Sequence, residues 1–269
     1  MRVRLFTLLL AAALVLPLLP SAQIQQTRVA NDYTDPPGTF SILGFDPVTG
    51  EVGAAVQSRV FSVGNGVLWA EAEVGAVATQ AIVDVSYGPK GLALLRQNMP
   101  PKDIIKAILD QDKDPGYRGQ AWPKAGRQFA VMNAKGEFAA YTGPGATTWA
   151  GDKQGKYCTA QGNILAGPAV VEKMVEAFES SEMNASGRRN HISLRLVAAL
   201  EAGDAAGGDT RGKQSAAMIV VKKDAGVWLH NDVVLRLQVD DSAEPIKELR
   251  RLVEMSPPGR SGGRGRGGL

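Results

Sequence analysis

The chain has 269 residues, a formal net charge of +3, 44% hydrophobic and 21% charged residues. Its single cysteine, Cys158, excludes an intramolecular disulfide, and its two histidines, His191 and His230, stand far apart with no second cysteine, so a zinc constellation has no support and no metal or cofactor is expected. Five positive charges lie in the two ends, at Arg2, Arg4, Arg260, Arg264 and Arg266; the rest of the chain is left at −2, which speaks against a nucleic-acid-binding face.

Residues 1–22 read as an export signal. Arg2 and Arg4 form a positive n-region, residues 5–19 are almost entirely apolar, and Pro20-Ser21-Ala22 offers small residues to a signal peptidase. The apolar run is shorter than the roughly 20 residues of a membrane span and is broken by Pro17. A periplasmic or secreted protein follows, with no stable membrane insertion after cleavage. Residues 23–38 are polar, end in Pro36-Pro37-Gly38, and read as a linker or propeptide.

From residue 39 the pattern is structured. Residues 39–46 and 51–58 are strand-like around the turn 47–50, a hairpin. Asn65-Gly66 marks a turn, and 67–73 with 75–82 form a further strand pair. Gly and Ala in that pair predict close approach by another layer. Residues 88–97 carry helical periodicity, Pro100-Pro101 interrupts it, and 102–109 places Ile104, Ile105, Ile108 and Leu109 on one helix face. Residues 128–133 and 138–142 form another hairpin, and 157–164 one more strand. Helices are predicted at 168–179 and 192–200. Strands at 215–222 and 227–239 pair around Asp224-Ala225-Gly226, and a helix closes the domain at 244–254. Residues 255–269 are almost wholly Ser, Pro, Gly and Arg, and cannot bury enough surface to offset chain entropy. Matches there to G-x-S-x-G and G-x-G-x-x-G have no strand before them and no helix after, and are rejected.

Strand runs such as 76–78 and 216–221 are apolar on both faces, so their sheets need cover on both sides. An α+β fold satisfies this: a four-layer αββα sandwich over 39–254, with two mainly antiparallel sheets between helix layers. A single antiparallel sheet covered by helices is the alternative.

The Gly38-Thr39 junction carries the most chemical information. A Thr hydroxyl is a weak nucleophile without an adjacent base, and a free α-amino group on the same residue can be that base. This requires Thr39 to begin the mature chain at the start of a strand. Gly38 leaves room for the hydroxyl to attack the preceding carbonyl. The plainer account is that Thr suits strands and Gly suits loops.

Several segments resemble one bacterial and archaeal family of unknown function within the N-terminal nucleophile (Ntn) hydrolase superfamily. They are Thr-Phe-Ser-Ile at 39–42, Gly-Ala-Val-Ala-Thr-Gln-Ala at 75–81, Ser-Tyr-Gly-Pro-Lys-Gly-Leu at 86–92, Gln-Gly-Asn-Ile-Leu-Ala-Gly-Pro at 161–168, Ala-Gly-Gly-Asp-Thr-Arg-Gly-Lys-Gln-Ser-Ala at 206–216 and Val-Asp-Asp at 239–241. The resemblance spans about 39–254 and implies the Ntn-hydrolase-like αββα sandwich. Many relatives carry Met directly before the first strand; this chain would need a second cleavage after loss of its signal.

The resemblance implies a polar or basic group at the end of the second strand, where Ser58 and Arg59 stand. Arg59 would favour deprotonation of Thr39, or is simply a surface arginine. Asn163 would donate to an oxyanion or cap a turn. Thr79 and Gln80 interrupt an apolar strand and need partners, in the core or on a substrate. Asp209 and Arg211 lie in a Gly-rich segment readable as an anion nest or as an ordinary loop. The leading expectation is an exported Ntn-type amidohydrolase acting on a small amide or peptide. The alternatives are a ligand-binding protein that keeps the fold without catalysis, and a self-associating module, since such sandwiches often form homo-oligomers.

Overall fold

A computed structural model describes residues 38–228 and 230–257. The expected export signal, the leader before Gly38 and the Gly/Arg-rich tail from 258 lie outside the described residues. Within them, no helix is long and apolar enough to cross a membrane.

Strands β1 (Thr39–Asp46) and β2 (Glu51–Ser58) pair as the predicted hairpin, Thr39 opposite Ser58 and Asp46 opposite Glu51. The Asp46 carboxylate closes the turn by accepting from the amides of Val48 and Thr49. Next come β3 (Leu68–Glu71), β4 (Gly75–Ala81), α1 (Tyr87–Arg96) and α2 (Pro101–Gln111). After these run β5 (Arg127–Asn133), β6 (Phe138–Thr142), β7 (Trp149–Gly155) and β8 (Cys158–Leu165). Helices α3 (Ala169–Ser180) and α4 (Ile192–Ala205), strands β9 (Ser215–Val221) and β10 (Val233–Val239), and α5 (Pro245–Met255) complete the order. The fold is mixed α+β. It has a six-stranded antiparallel sheet, β10-β9-β2-β1-β8-β7, and a four-stranded one, β3-β4-β5-β6, with five helices among the described residues.

Strand alternation sorts side chains into three apolar clusters. From β1, Phe40 and Ile42 join Met174, Phe178, Leu196 and Leu249 of α3, α4 and α5. Leu43 and Phe45 face the other way and meet Ala76, Ala78, Ala130 and Met132 of the smaller sheet. The far face of that sheet packs Val77, Phe129 and Val131 against Tyr87, Leu92, Ile104 and Ile108 of α1 and α2. The alanines predicted to admit another layer do so, at the contact between the sheets.

Four boundaries differ from the sequence reading. β7 is absent from it. The strand Trp-Ala-Gly-Asp-Lys-Gln-Gly lies at a sheet edge, half exposed, and has no apolar alternation to betray it. β3 is shorter than 67–73. Helix α4 runs past Leu200 through Gly203, where a Cβ would stand 2.8 Å from Met174; that glycine marks a close helix contact, not an end. β10 begins at Val233, because Asn231 and Asp232 hold the loop by accepting from the amides of Val233 and Asp224.

Candidate active site

Thr39 is the first residue of β1, and β1 is paired on both sides. Antiparallel register sets Ser58 of β2 and Asn163 of β8 directly opposite it, so the three side chains share one face, the one turned toward the smaller sheet. Thr39 is only 1% exposed. Its hydroxyl donates to Ser58 Oγ across 3.0 Å, and Ser58 Oγ donates to the carbonyl oxygen of Gly38 across 2.6 Å. The hydroxyl chain thus runs from the side chain of Thr39 back to the peptide bond that precedes it.

The same carbonyl receives a second donor. Arg211 Nη2 lies 2.9 Å from Gly38 O and 2.8 Å from Asp209 Oδ2, while Arg211 Nε and its own amide bind Asp209 Oδ1. The Asp209 side chain is fully buried. A Cβ at Gly38 would stand 2.7 Å from both Asp209 carboxylate oxygens, which accounts for glycine there. Of the two readings of 207–212, an anion nest or an ordinary loop, the structure fits the loop. The amides of Gly207, Gly208 and Gly212 already donate to Asp204, Gly203 and Asp209, so this loop grips Gly38 through side chains instead.

Beneath Thr39, four polar side chains join the two sheets. Gln80 Nε2 donates to Thr39 O (3.1 Å) and to Gln128 Oε1 (2.8 Å), and Gln80 Oε1 accepts from Ser41 Oγ (2.6 Å). Gln161 Nε2 donates to Ser41 Oγ (2.6 Å), and Gln128 Nε2 to the carbonyl of Gly162 (2.8 Å). Buried amides are tolerated here because they serve one another. Gln128 and Gln161 were missed in the sequence: Gln128 stands ahead of the apolar run of β5, and Gln161 lies in a strand already rich in polar residues.

Two expected residues stand elsewhere. Thr79 alternates onto the opposite face of β4 and donates to the carbonyl of Asp84 (3.3 Å), away from Thr39. Arg59 lies beyond the end of β2, is exposed, and runs past Gly212; the structure does not bring it to Thr39.

A cavity of about 180 Å³ adjoins Thr39 and Gln80, walled by residues 60–63 and 66–67 and by Val83. Its first wall is fixed by Ser215, whose hydroxyl donates to Val60 O and accepts from the amide of Val63. Val83 follows Ile82, whose carbonyl accepts from Arg127 Nη1. Arg127 is buried and paired with Asp112, which also accepts from the Tyr87 hydroxyl. Burial opposes ionisation of Asp112, but Tyr87, the Asp114 amide and Arg127 outweigh it and hold its carboxyl below the usual range. Burial pushes the Cys158 thiol up to about 12, which leaves no thiolate for nucleophilic work.

At the opposite end of β1, His191 caps α4. Its Nδ1 accepts from the Ser193 amide and its Nε2 meets Glu51 Oε1 at 3.0 Å. Ser193 is fully buried, so this Ser-His-Glu series is a structural cap.

The model of a family of unknown function, DUF1028, matches residues 39–249. The crystal structure of protein SPO2555 from Silicibacter pomeroyi, described as a member of that family, is similar at a TM-score of 0.68 and 30% identity, over 81% of this chain and 88% of that one. No protein of curated function matches. The chain therefore belongs to the family of unknown function DUF1028.

Proposed function

We propose that this protein is an exported Ntn-type amidohydrolase of αββα architecture, with Thr39 as nucleophile once the chain before it has been removed. The observation that carries this reading is the Thr39–Ser58–Gly38 hydrogen-bond chain, joined at the Gly38 carbonyl by Arg211. Two donors on that oxygen polarise the peptide bond ahead of Thr39 and would stabilise the negative charge that attack places there. The family match beginning at Thr39 supports the same boundary.

Attack by Thr39 Oγ1 on the Gly38 carbonyl carbon forms an ester as the Gly38–Thr39 C–N bond breaks. The hydroxyl proton ends on the departing nitrogen. Water then splits the ester, leaving a Gly38 carboxylate and a free α-amine on Thr39. That amine takes the hydroxyl proton when Thr39 attacks a substrate amide, gives it to the leaving amine, and activates the water that releases the acyl group. Asn163, opposite Thr39 on β8, would donate to the oxyanion.

The second reading, a ligand-binding protein with no catalysis, draws on Thr39 being buried. Intact mass and N-terminal sequencing of the exported protein from its host separate the two. A chain starting at Thr39 is the expected result; one that keeps residues before it favours the binding protein.

A further inference from the structure

The cavity beside Thr39 has a chemical character that the hydrolase reading does not require. Val60, Phe61, Val63, Val67 and Val83 supply its apolar walls, and none of its lining side chains is ionisable. Its polar members are committed elsewhere. Ser62 donates to Asp240 across 2.5 Å and accepts from Asn65 and Gln238, and the Gln80 amide is taken up by Thr39, Ser41 and Gln128. A charged group held among these valines would be desolvated with no charged side chain to pair with, whereas an aliphatic one gains. The charged side chains near Thr39, Asp209 and Arg211, stand instead around Gly38.

At about 180 Å³ the cavity is smaller than the roughly 300–1,000 Å³ that holds a whole drug-sized ligand, so it takes one short group. Its wall is held before any ligand arrives. Ser62 N donates to Asp240 O, and Ser215 ties both Val60 and Val63. Such a wall spends little ordering entropy on binding. Phe61, 50% exposed, is the most exposed apolar residue of the wall.

We infer that this cleft is an acyl subsite. It selects amides whose carbonyl carries a short, uncharged aliphatic chain, with the polar part of the substrate on the Gly38 side. The inference rests on Thr39 being the nucleophile, and the test separates the two claims.

The full chain is assayed against anilides acylated with acetyl, propionyl, butyryl, valeryl and succinyl groups, and binding of valeramide and of succinamate to Thr39→Ala is followed by ligand-observed NMR. The expected result is a kcat/KM that rises about fourfold per methylene until the cleft is full, with succinyl the poorest. Val83→Phe, at a half-buried loop position, moves the optimum to a shorter chain, and Val67→Phe, at a second lining position, should do the same. Equal rates along the series, or a preference for succinyl, overturn the subsite while leaving the hydrolase intact. Valeramide binding to Thr39→Ala that Val83→Phe removes, with no anilide cleaved by the parent chain, sustains an aliphatic site and overturns the hydrolase. Succinamate binding as well as valeramide overturns the subsite.

Discussion

Gln80 on β4 donates to the main-chain carbonyl of Thr39 on β1 across 3.1 Å, so one sheet holds the leading residue of a strand in the other. The same amide serves Gln128 and Ser41. Replacing it with Leu keeps most of the volume and leaves four buried polar partners, the carbonyls of Thr39 and Gln161, Gln128 Oε1 and Ser41 Oγ, short of a hydrogen bond. At about 1–3 kcal/mol for an unsatisfied buried group, Gln80→Leu should lower unfolding stability by about 3 kcal/mol. Urea denaturation measures this. A loss under about 1 kcal/mol would mean the amide network does not bind the sheets together.

Thr39→Ala removes one hydroxyl whose hydrogen bond to Ser58 is worth about 0.5–1.5 kcal/mol. The melting temperature should drop by only a few degrees, while cleavage after Gly38 and amide turnover both vanish. Mass spectrometry of the variant reads the first and a rate assay the second. Normal turnover in this variant would remove Thr39 from the chemistry.

Gly38→Ala puts a methyl group 2.7 Å from each Asp209 carboxylate oxygen and 2.8 Å from Arg211 Nη2. The Asp209–Arg211 pair must then shift, and the carbonyl loses a donor. Processing should slow by about 10- to 100-fold, as misplaced reacting groups typically do. A time course of intact mass tests this, and an unchanged rate would show that Arg211 has no part in the cut.

Burial opposes ionisation of Glu51, but the hydrogen bond and charge of His191, with smaller help from Thr49 and Lys222, hold its pKa below the ordinary 4.5. A carboxyl depressed on folding stabilises the protein above its unfolded value, and that contribution is lost as pH falls through the folded value. The denaturation midpoint should therefore fall as pH drops below the ordinary 4.5 toward the lower folded value. Glu51→Gln should flatten that fall. Parallel acid limbs for the two proteins would exclude Glu51 as a source of acid sensitivity.

Asp112 and Arg127 are both about 1% exposed in the side chain. Removing one partner of such a pair strands the other charge, so Asp112→Ala should cost about 3–5 kcal/mol. It should also loosen the segment at Val83, because Arg127 holds the Ile82 carbonyl. Hydrogen exchange around residues 82–86 would detect this, and unchanged protection there would confine the effect to the helix layer.

Much of the fold was legible because its signals are periodic. The predicted hairpin of β1 and β2 has its observed bounds, and the helices predicted at 168–179 and 244–254 are α3 and α5 to within a residue at each end. β7 was not legible, since an edge strand of Asp152, Lys153 and Gln154 has no buried face to mark it. Within the site, Thr39, Ser58 and Asn163 fall in one row because register is a pairing property; no local pattern encodes it. Thr79 went with Gln80 in the sequence, yet neighbours on a strand point to opposite faces. The grip of Arg211 on Gly38 spans 173 residues and leaves no mark in either segment.

Strand β1 is hydrogen-bonded to β2 on one flank and to β8 on the other, starting from Thr39 itself. Chain termini ordinarily fray, and their first few amides exchange with solvent almost freely. A terminus made at Thr39 would instead be born inside a sheet, with its neighbours already locked. Its amine could not wander, so the spacing between base and hydroxyl would be set by the sheet and not by chance encounters of a loose end. Heat that leaves the six-stranded sheet intact would leave that spacing intact too, and activity and global unfolding would disappear together.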